Sequence, residues 1–131
     1  MNQNLVWRGN LKFGSGPGEP PIELDSAAPG VVSPVQTLGY AVMACMGMDV
    51  VHMLKKGHHD LKALSVRLNA TRAPEPPRRI TSIDVHFDVS GDVPDDALAR
   101  AIDLSREKYC SVWHSLRQDI QLTTTFRVSA D

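Results

Sequence analysis

Apolar and polar residues alternate with period two from Leu5 to Phe13. Leu5, Trp7, Gly9, Leu11 and Phe13 fall on one side, and Val6, Arg8, Asn10 and Lys12 on the other. Such alternation predicts a half-buried strand. The stretch from Gly14 to Pro21, built of Gly, Pro, Ser and Glu, cannot hold a helix and predicts a flexible hairpin tip, with Ile22 to Leu24 as the returning strand. After a loop at 26–30, Ser33 suits a helix cap and Pro34 the first helical position, where a missing N–H costs nothing. Between Leu38 and Leu54 only Asp49 and His52 are ionisable, and Lys55, Lys56 and Gly57 close the segment. This predicts a helix apolar nearly all round, wrapped by sheet or covered partly by a second subunit. Its apolar part falls short of the roughly 20 residues that a membrane crossing needs, so no membrane partner is expected.

Alternation returns with Leu64, Val66, Leu68 and Ala70 against Ser65, Arg67, Asn69 and Thr71. Beyond the Pro-rich loop at 74–79 it resumes with Ile83, Val85, Phe87 and Val89 against Asp84, His86 and Asp88. Two strands paired antiparallel are predicted. Pro94, Asp95 and Asp96 open a second helix with Leu98, Ala101, Ile102, Ser105 and Tyr109 on one stripe and Arg106 and Lys108 in its last turn. Cys110 sits at its end. Ser111 to Asp119 can form a short helix around Val112, Trp113 and Leu116, and Ile120 to Val128 alternates as a final strand. The order strand, strand, helix, strand, strand, helix, helix, strand, without internal repeats, predicts an α+β fold in one domain spanning 1–131. Both predicted hairpins are too tightly joined for crossover helices, which disfavours a parallel Rossmann-type sheet.

Composition adds constraints. A chain of 131 residues, 42% apolar, can bury about two-thirds of its unfolded surface without disulfides or a structural metal, so its two cysteines are free for other work. The net charge of -1 removes the electrostatic basis for binding nucleic acid or an anionic membrane, leaving small molecules or proteins as partners. Residues 1–20 hold no apolar run behind a basic start, which points to a reducing cytoplasm. In that compartment a thiol pair reads as redox chemistry, metal binding or packing.

Cys45, inside the apolar helix, has core packing as its plainest reading. Cys110 stands at a helix junction, where unsatisfied backbone N–H groups favour a thiolate, and the two cysteines can meet in space. Metal binding has weaker support: His52, His58, His59, His86 and His114 form no H-x-x-x-H pattern, no C-x-x-C occurs, and no metal or other cofactor is expected. A cysteine hydrolase would require His86 or His114 to approach a thiol. Asp49, one turn after Cys45 on the same side of the helix, would raise a neighbouring thiol's pKa, so pairing with a basic group or exposure at a dimer seam is expected of it. Gly14, Gly16 and Gly18 lack the following Lys and Ser/Thr of a phosphate loop and fit a hairpin tip.

Three runs carry a resemblance: Ser33-Pro34-Val35-Gln36 leading to Ala44-Cys45, then Met48-Asp49-Val50-Val51, and Leu104-Ser105-Arg106-Glu107-Lys108-Tyr109-Cys110-Ser111-Val112. With the order of elements from about Trp7 to Val128, they resemble the OsmC/Ohr superfamily of small thiol-dependent hydroperoxide reductases. The resemblance implies an intertwined homodimer whose antiparallel sheets wrap long central helices. It implies that Cys45 attacks the peroxide as a thiolate and becomes a sulfenic acid, that Cys110 condenses with it to a disulfide, and that an external dithiol reduces the pair. The implied partner is an organic hydroperoxide or other small apolar ligand, for which Tyr40, Met43, Met46 and Met53 could line a pocket. Peroxidases of that superfamily carry a Glu just after the Pro of the first motif, holding an Arg against the thiolate. Here Val35 and Gln36 stand there, and the Met48-Asp49-Val50 motif resembles a less-characterised OsmC-like branch. Arg8, Arg78, Arg79 or a residue of a partner chain are the candidates for positive charge near Cys45. The expected function is therefore a cytoplasmic, antioxidant thiol peroxidase of the stress response. The alternative on the same fold is a low-activity thiol redox sensor or small-molecule-binding dimer.

Overall fold

The computed structural model describes residues 1–130 and divides into two compact units, Met1–Tyr40 and the chain from Ala41 onward. The first holds an antiparallel sheet of β1 (Leu5–Trp7), β2 (Lys12–Ser15) and β3 (Glu23–Asp25), in that order. The single strand expected over Leu5–Phe13 is thus two strands. Gly9 and Asn10, at φ 101° and 47°, reverse the chain, the Arg8 N–H donates to the Lys12 carbonyl at 2.8 Å, and Trp7 comes opposite Phe13. A Gly-Asn pair takes left-handed backbone cheaply, and because the turn preserves the alternation the pattern alone reads straight through it. Leu5, Trp7, Leu11 and Phe13 are all exposed, Trp7 by 64%.

Helix α1 (Pro34–Lys56) starts where expected, on a reciprocal cap. The Gln36 N–H donates to Ser33 Oγ at 3.2 Å, and the Ser33 N–H donates to Gln36 Oε1 at 2.9 Å, satisfying two backbone donors at once. Its 23 residues are by length and composition enough to cross a membrane, which corrects the expectation that the segment falls short. The reason is that the cap and the terminal lysines add turns on both sides of the apolar run. Val42, Met46, Val50 and Leu54, spaced four apart, form a fully buried stripe of a core helix. On the opposite side Ala44, Met48 and His52 are exposed, Met48 by 70%. The helix expected to be wrapped is therefore covered by its own chain along one stripe.

The second unit pairs β4 (Asp60–Arg72) with β5 (Ile80–Asp92) antiparallel, as the alternation predicts, in a register that sets Val66 opposite Phe87. Across β5 lies β6 (Gln121–Ser129), and this pair is parallel, with Phe87 opposite Phe126. The sheet is therefore mixed, not wholly antiparallel. The chain between β5 and β6 is long enough to carry a helical crossover, which a parallel pair requires. Central placement buries Ile83, Val85, Phe87 and Val89 of β5. A bulge between Leu61 and Ala63 faces Gly91, whose φ of 127° and contact with the Asp60 carbonyl leave no room for a side chain.

Helix α2 (Asp95–Leu104) buries Leu98, Ala101 and Ile102 as expected, then widens into one π-helical turn, Ser105–Tyr109. The Cys110 N–H reaches back five residues to the Ser105 carbonyl, at 2.8 Å. That extra residue rotates the stripe: Tyr109, expected inside, is exposed, while Cys110 is turned inward. The short helix α3 spans Ser111–His114, ending earlier than the expected Asp119. The fold is α+β, as predicted.

Candidate thiol site

Two segments build the site. Helix α1 presents Cys45 and Asp49 at i and i+4, one above the other on one face. The π-turn and the entry to α3 bring Ser105, Cys110 and Ser111 against them. A carboxylate oxygen of Asp49 and the two sulfurs all lie within 4.8 Å of one another. The sequence expectation that Cys45 and Cys110 can meet is met by this geometry, with both thiols free.

The two thiols sit in unlike surroundings. Cys110 is fully buried and caps α3, its sulfur accepting the Trp113 N–H at 3.3 Å. Cys45 is half-buried, with Sγ 3.9 Å from Ser111 Oγ. Burial, the largest influence on Cys45, pushes its pKa up. The Val112 N–H, the Cys110 thiol and the Ser111 hydroxyl outweigh it by donating to the sulfur, and the thiol is held below its ordinary value although Asp49 opposes. Cys110 is pushed up to about 11, first by burial and then by Cys45 and Asp49, against the Trp113 N–H. One sulfur is thus held below its ordinary pKa and the other above it, and the raised one is Cys110, for which the helix junction predicts a thiolate.

Asp49 is held by the Ser105 hydroxyl, which donates to Oδ2 at 2.8 Å from a fully buried side chain. Of the two situations expected for it, pairing with a basic group or exposure at a dimer seam, the first is not found among the described residues. Among the described residues no lysine, arginine or histidine nitrogen lies within 4.0 Å of its carboxylate. Two of the arginines singled out by sequence, Arg8 and Arg79, have guanidinium groups engaged locally. Arg8 donates to the Ser15 carbonyl at 2.9 Å, and Arg79 to the Ile80 carbonyl at 3.2 Å, while the Arg78 carbonyl accepts from Arg72. The groups lowering Cys45 are neutral donors, and Gln36, which with Val35 stands where the resemblance places a glutamate, is used in the helix cap.

The histidines stand elsewhere. His86 lies on β5, bonded to Thr125 at 2.7 Å and to Asp88 at 3.3 Å, and His114 is exposed at the end of α3, so neither supplies the base of a hydrolase pair. Of the methionines expected to line a pocket, Met46 belongs to the core stripe. Met53 lines a cavity of about 660 Å³ with His59, Arg100 and Tyr109. Sequence reasoning missed Ser105 and Ser111 as site residues. Their signal was position only, one at each end of the run that terminates in Cys110.

A family profile described as OsmC-like protein matches residues 27–125. Protein YhfA of Escherichia coli (strain K12) is 42% identical over 99 residues, covering 75% of this chain and 74% of its own length. Among solved structures, a hypothetical protein from Aquifex aeolicus VF5 superposes with TM-score 0.90 at 26% identity, over 99% of this chain and 96% of that one. An organic hydroperoxide resistance protein OsmC from Legionella pneumophila shares the fold at TM-score 0.74 and 14% identity, over 98% of each chain.

Proposed function

We infer the function from one premise, that the chain belongs to the OsmC-like protein family. On that premise it is a cysteine-based hydroperoxide reductase with Cys45 as the attacking thiolate and Cys110 as the resolving thiol. The observation that carries this reading is the asymmetry of the pair: an accessible sulfur held below its ordinary pKa beside a buried one raised to about 11. A single peroxide would meet only one nucleophile. The name of the Legionella pneumophila neighbour, an organic hydroperoxide resistance protein, supports the substrate class.

In the first step the Cys45 thiolate attacks one peroxide oxygen. The S–O bond forms as the O–O bond breaks, the alcohol leaves after taking a proton, and the sulfur becomes a sulfenic acid. Cys110 then attacks that sulfur, an S–S bond forms and water departs. An external dithiol restores both thiols by exchange, in a reducing cytoplasm. The working species is a homodimer: the exposed Ala44 and Met48 of α1, and separately the exposed Leu5, Trp7 and Phe13 of the first unit, are apolar patches that a second copy would cover. Treating the reduced protein with one equivalent of an organic hydroperoxide and mapping disulfides by mass spectrometry tests the chemistry. A Cys45–Cys110 bond is expected, and both thiols remaining titratable would refute it.

One observation favours a second reading. With neutral donors alone lowering Cys45 and Asp49 opposing them, the same pair could serve as a slow redox sensor. Steady-state peroxide consumption with a dithiol reductant separates the two, since a sensor forms the disulfide once without sustained turnover.

A further inference from the structure

We propose that Cys45, Asp49 and Cys110 form a binding site for one zinc-class divalent cation. Tetrahedral zinc holds thiolate sulfur at about 2.3 Å and carboxylate oxygen at about 2.0–2.2 Å, which separates its ligand atoms by roughly 3.5–3.8 Å. The three donor atoms here already lie within 4.8 Å of one another, so a side-chain adjustment of about an ångström closes the set. Two sulfurs with one carboxylate suit a borderline-soft ion rather than magnesium or calcium, which take oxygen ligands.

The surroundings fit as well as the donors do. Ligands of metal sites are oriented by hydrogen bonds from behind, and such bonds are present here: Ser105 Oγ donates to Asp49 at 2.8 Å and the Trp113 N–H donates to Cys110 Sγ at 3.3 Å. The Asp49 carboxylate, half-buried, has no lysine, arginine or histidine nitrogen within 4.0 Å among the described residues. The half-buried Cys45 gives an ion a way in, and the Ser111 hydroxyl stands 3.9 Å from its sulfur. The pattern is C-x-x-x-D on one helix face completed by a distant cysteine, which spacing rules for paired cysteines or histidines do not detect. A cation on both sulfurs would shield them from electrophiles, so occupancy and disulfide formation exclude each other.

The test uses the reduced protein. Zinc is titrated in competition with a chromophoric chelator, and cobalt(II) is added separately as a spectroscopic probe. Expected are one equivalent per chain, a sulfur-to-cobalt charge-transfer band with the intense visible bands of a tetrahedral ion, and no uptake by the disulfide form. Asp49→Asn should lower zinc affinity by about tenfold or more while keeping the charge-transfer band. Cys110→Ser should roughly halve that band, with circular dichroism verifying the fold of each variant. Sub-stoichiometric uptake, a weak octahedral cobalt spectrum, or uptake that persists in the Cys45→Ser/Cys110→Ser double variant but vanishes in His58→Ala/His59→Ala would overturn the proposal. Peroxide-driven disulfide formation is followed separately in chelator-treated protein, so the metal site and the peroxidase reading can fail independently.

Discussion

Replacing Asp49 by Asn isolates the one group that works against the reactive sulfur. The carboxylate lies no farther than 4.8 Å from Cys45 Sγ, and at that distance two like charges repel by about 0.9 kcal/mol in water and about 3.5 kcal/mol at an effective dielectric of 20. Both residues are half-buried, so solvent screening places the effect near the lower figure. Relieving about 0.9 kcal/mol multiplies the Cys45 thiolate population at neutral pH by about fourfold, since about 1.36 kcal/mol is tenfold. A less basic thiolate is also a poorer nucleophile, with a Brønsted coefficient of about 0.4–0.5, so the alkylation rate should rise only about twofold. Asn still offers an oxygen to the Ser105 hydroxyl, and the melting temperature should stay within a degree or two. The assay pairs the ultraviolet absorbance of the thiolate with the rate of iodoacetamide labelling, which reads Cys45 because Cys110 stays protonated. An unchanged or smaller thiolate population in a variant with unaltered melting would refute the electrostatic account. The same substitution should weaken zinc binding, a change of opposite sign that separates a ligand from a mere source of repulsion.

Four further outcomes follow from particular contacts. Cys110 is raised from 9.0 to about 11, so its contribution to stability is present below pH 9 and is lost as the pH rises through about 11, a loss of roughly 2–3 kcal/mol. Denaturant titrations should show it, and Cys110→Ser, which keeps an acceptor for the Trp113 N–H, should flatten the slope. Gly91→Ala places a Cβ against the Asp60 carbonyl and the Lys62 N–H at a positive φ, and should cost more than about 2 kcal/mol or prevent folding, as read by thermal melting. Ser33→Ala removes one half of the reciprocal cap on α1 and should cost about 1 kcal/mol in chemical denaturation, whereas Gln36→Glu should cost little because Glu serves the same cap. Met48→Glu adds charge to the exposed side of α1 and should shift sedimentation from dimer towards monomer, and an unchanged mass would count against a dimer seam there.

Legibility in the sequence followed the range of the interactions. The cap at Ser33, the antiparallel β4–β5 pair and the buried stripe at Leu98, Ala101 and Ile102 depend on residues near in sequence, and the pattern reports them. The Gly9-Asn10 reversal went unseen because a tight turn that keeps the alternation looks like continuous strand. The parallel β5–β6 pair went unseen because strand direction is decided by where the crossover packs, which periodicity does not encode. At the site, the thiol motifs were visible as a resemblance, but Asp49 read as a residue paired with a basic group or exposed at a dimer seam, and Ser105 read as part of an apolar stripe. The bond between them, at 2.8 Å and 56 residues apart, changes both readings.

By itself the sequence determined the order of most helices and strands, that two cysteines are spare, and through its motifs which family they point to. These are properties of local pattern and residue type. Only the tertiary structure decided that the thiols differ: a single π-helical turn rotates Cys110 into the core and Tyr109 out of it, and leaves Cys45 accessible beside Val112 and Ser111. A sulfur's protonation follows from burial and from the donors that surround it, and those are assembled by packing between elements that the chain keeps far apart.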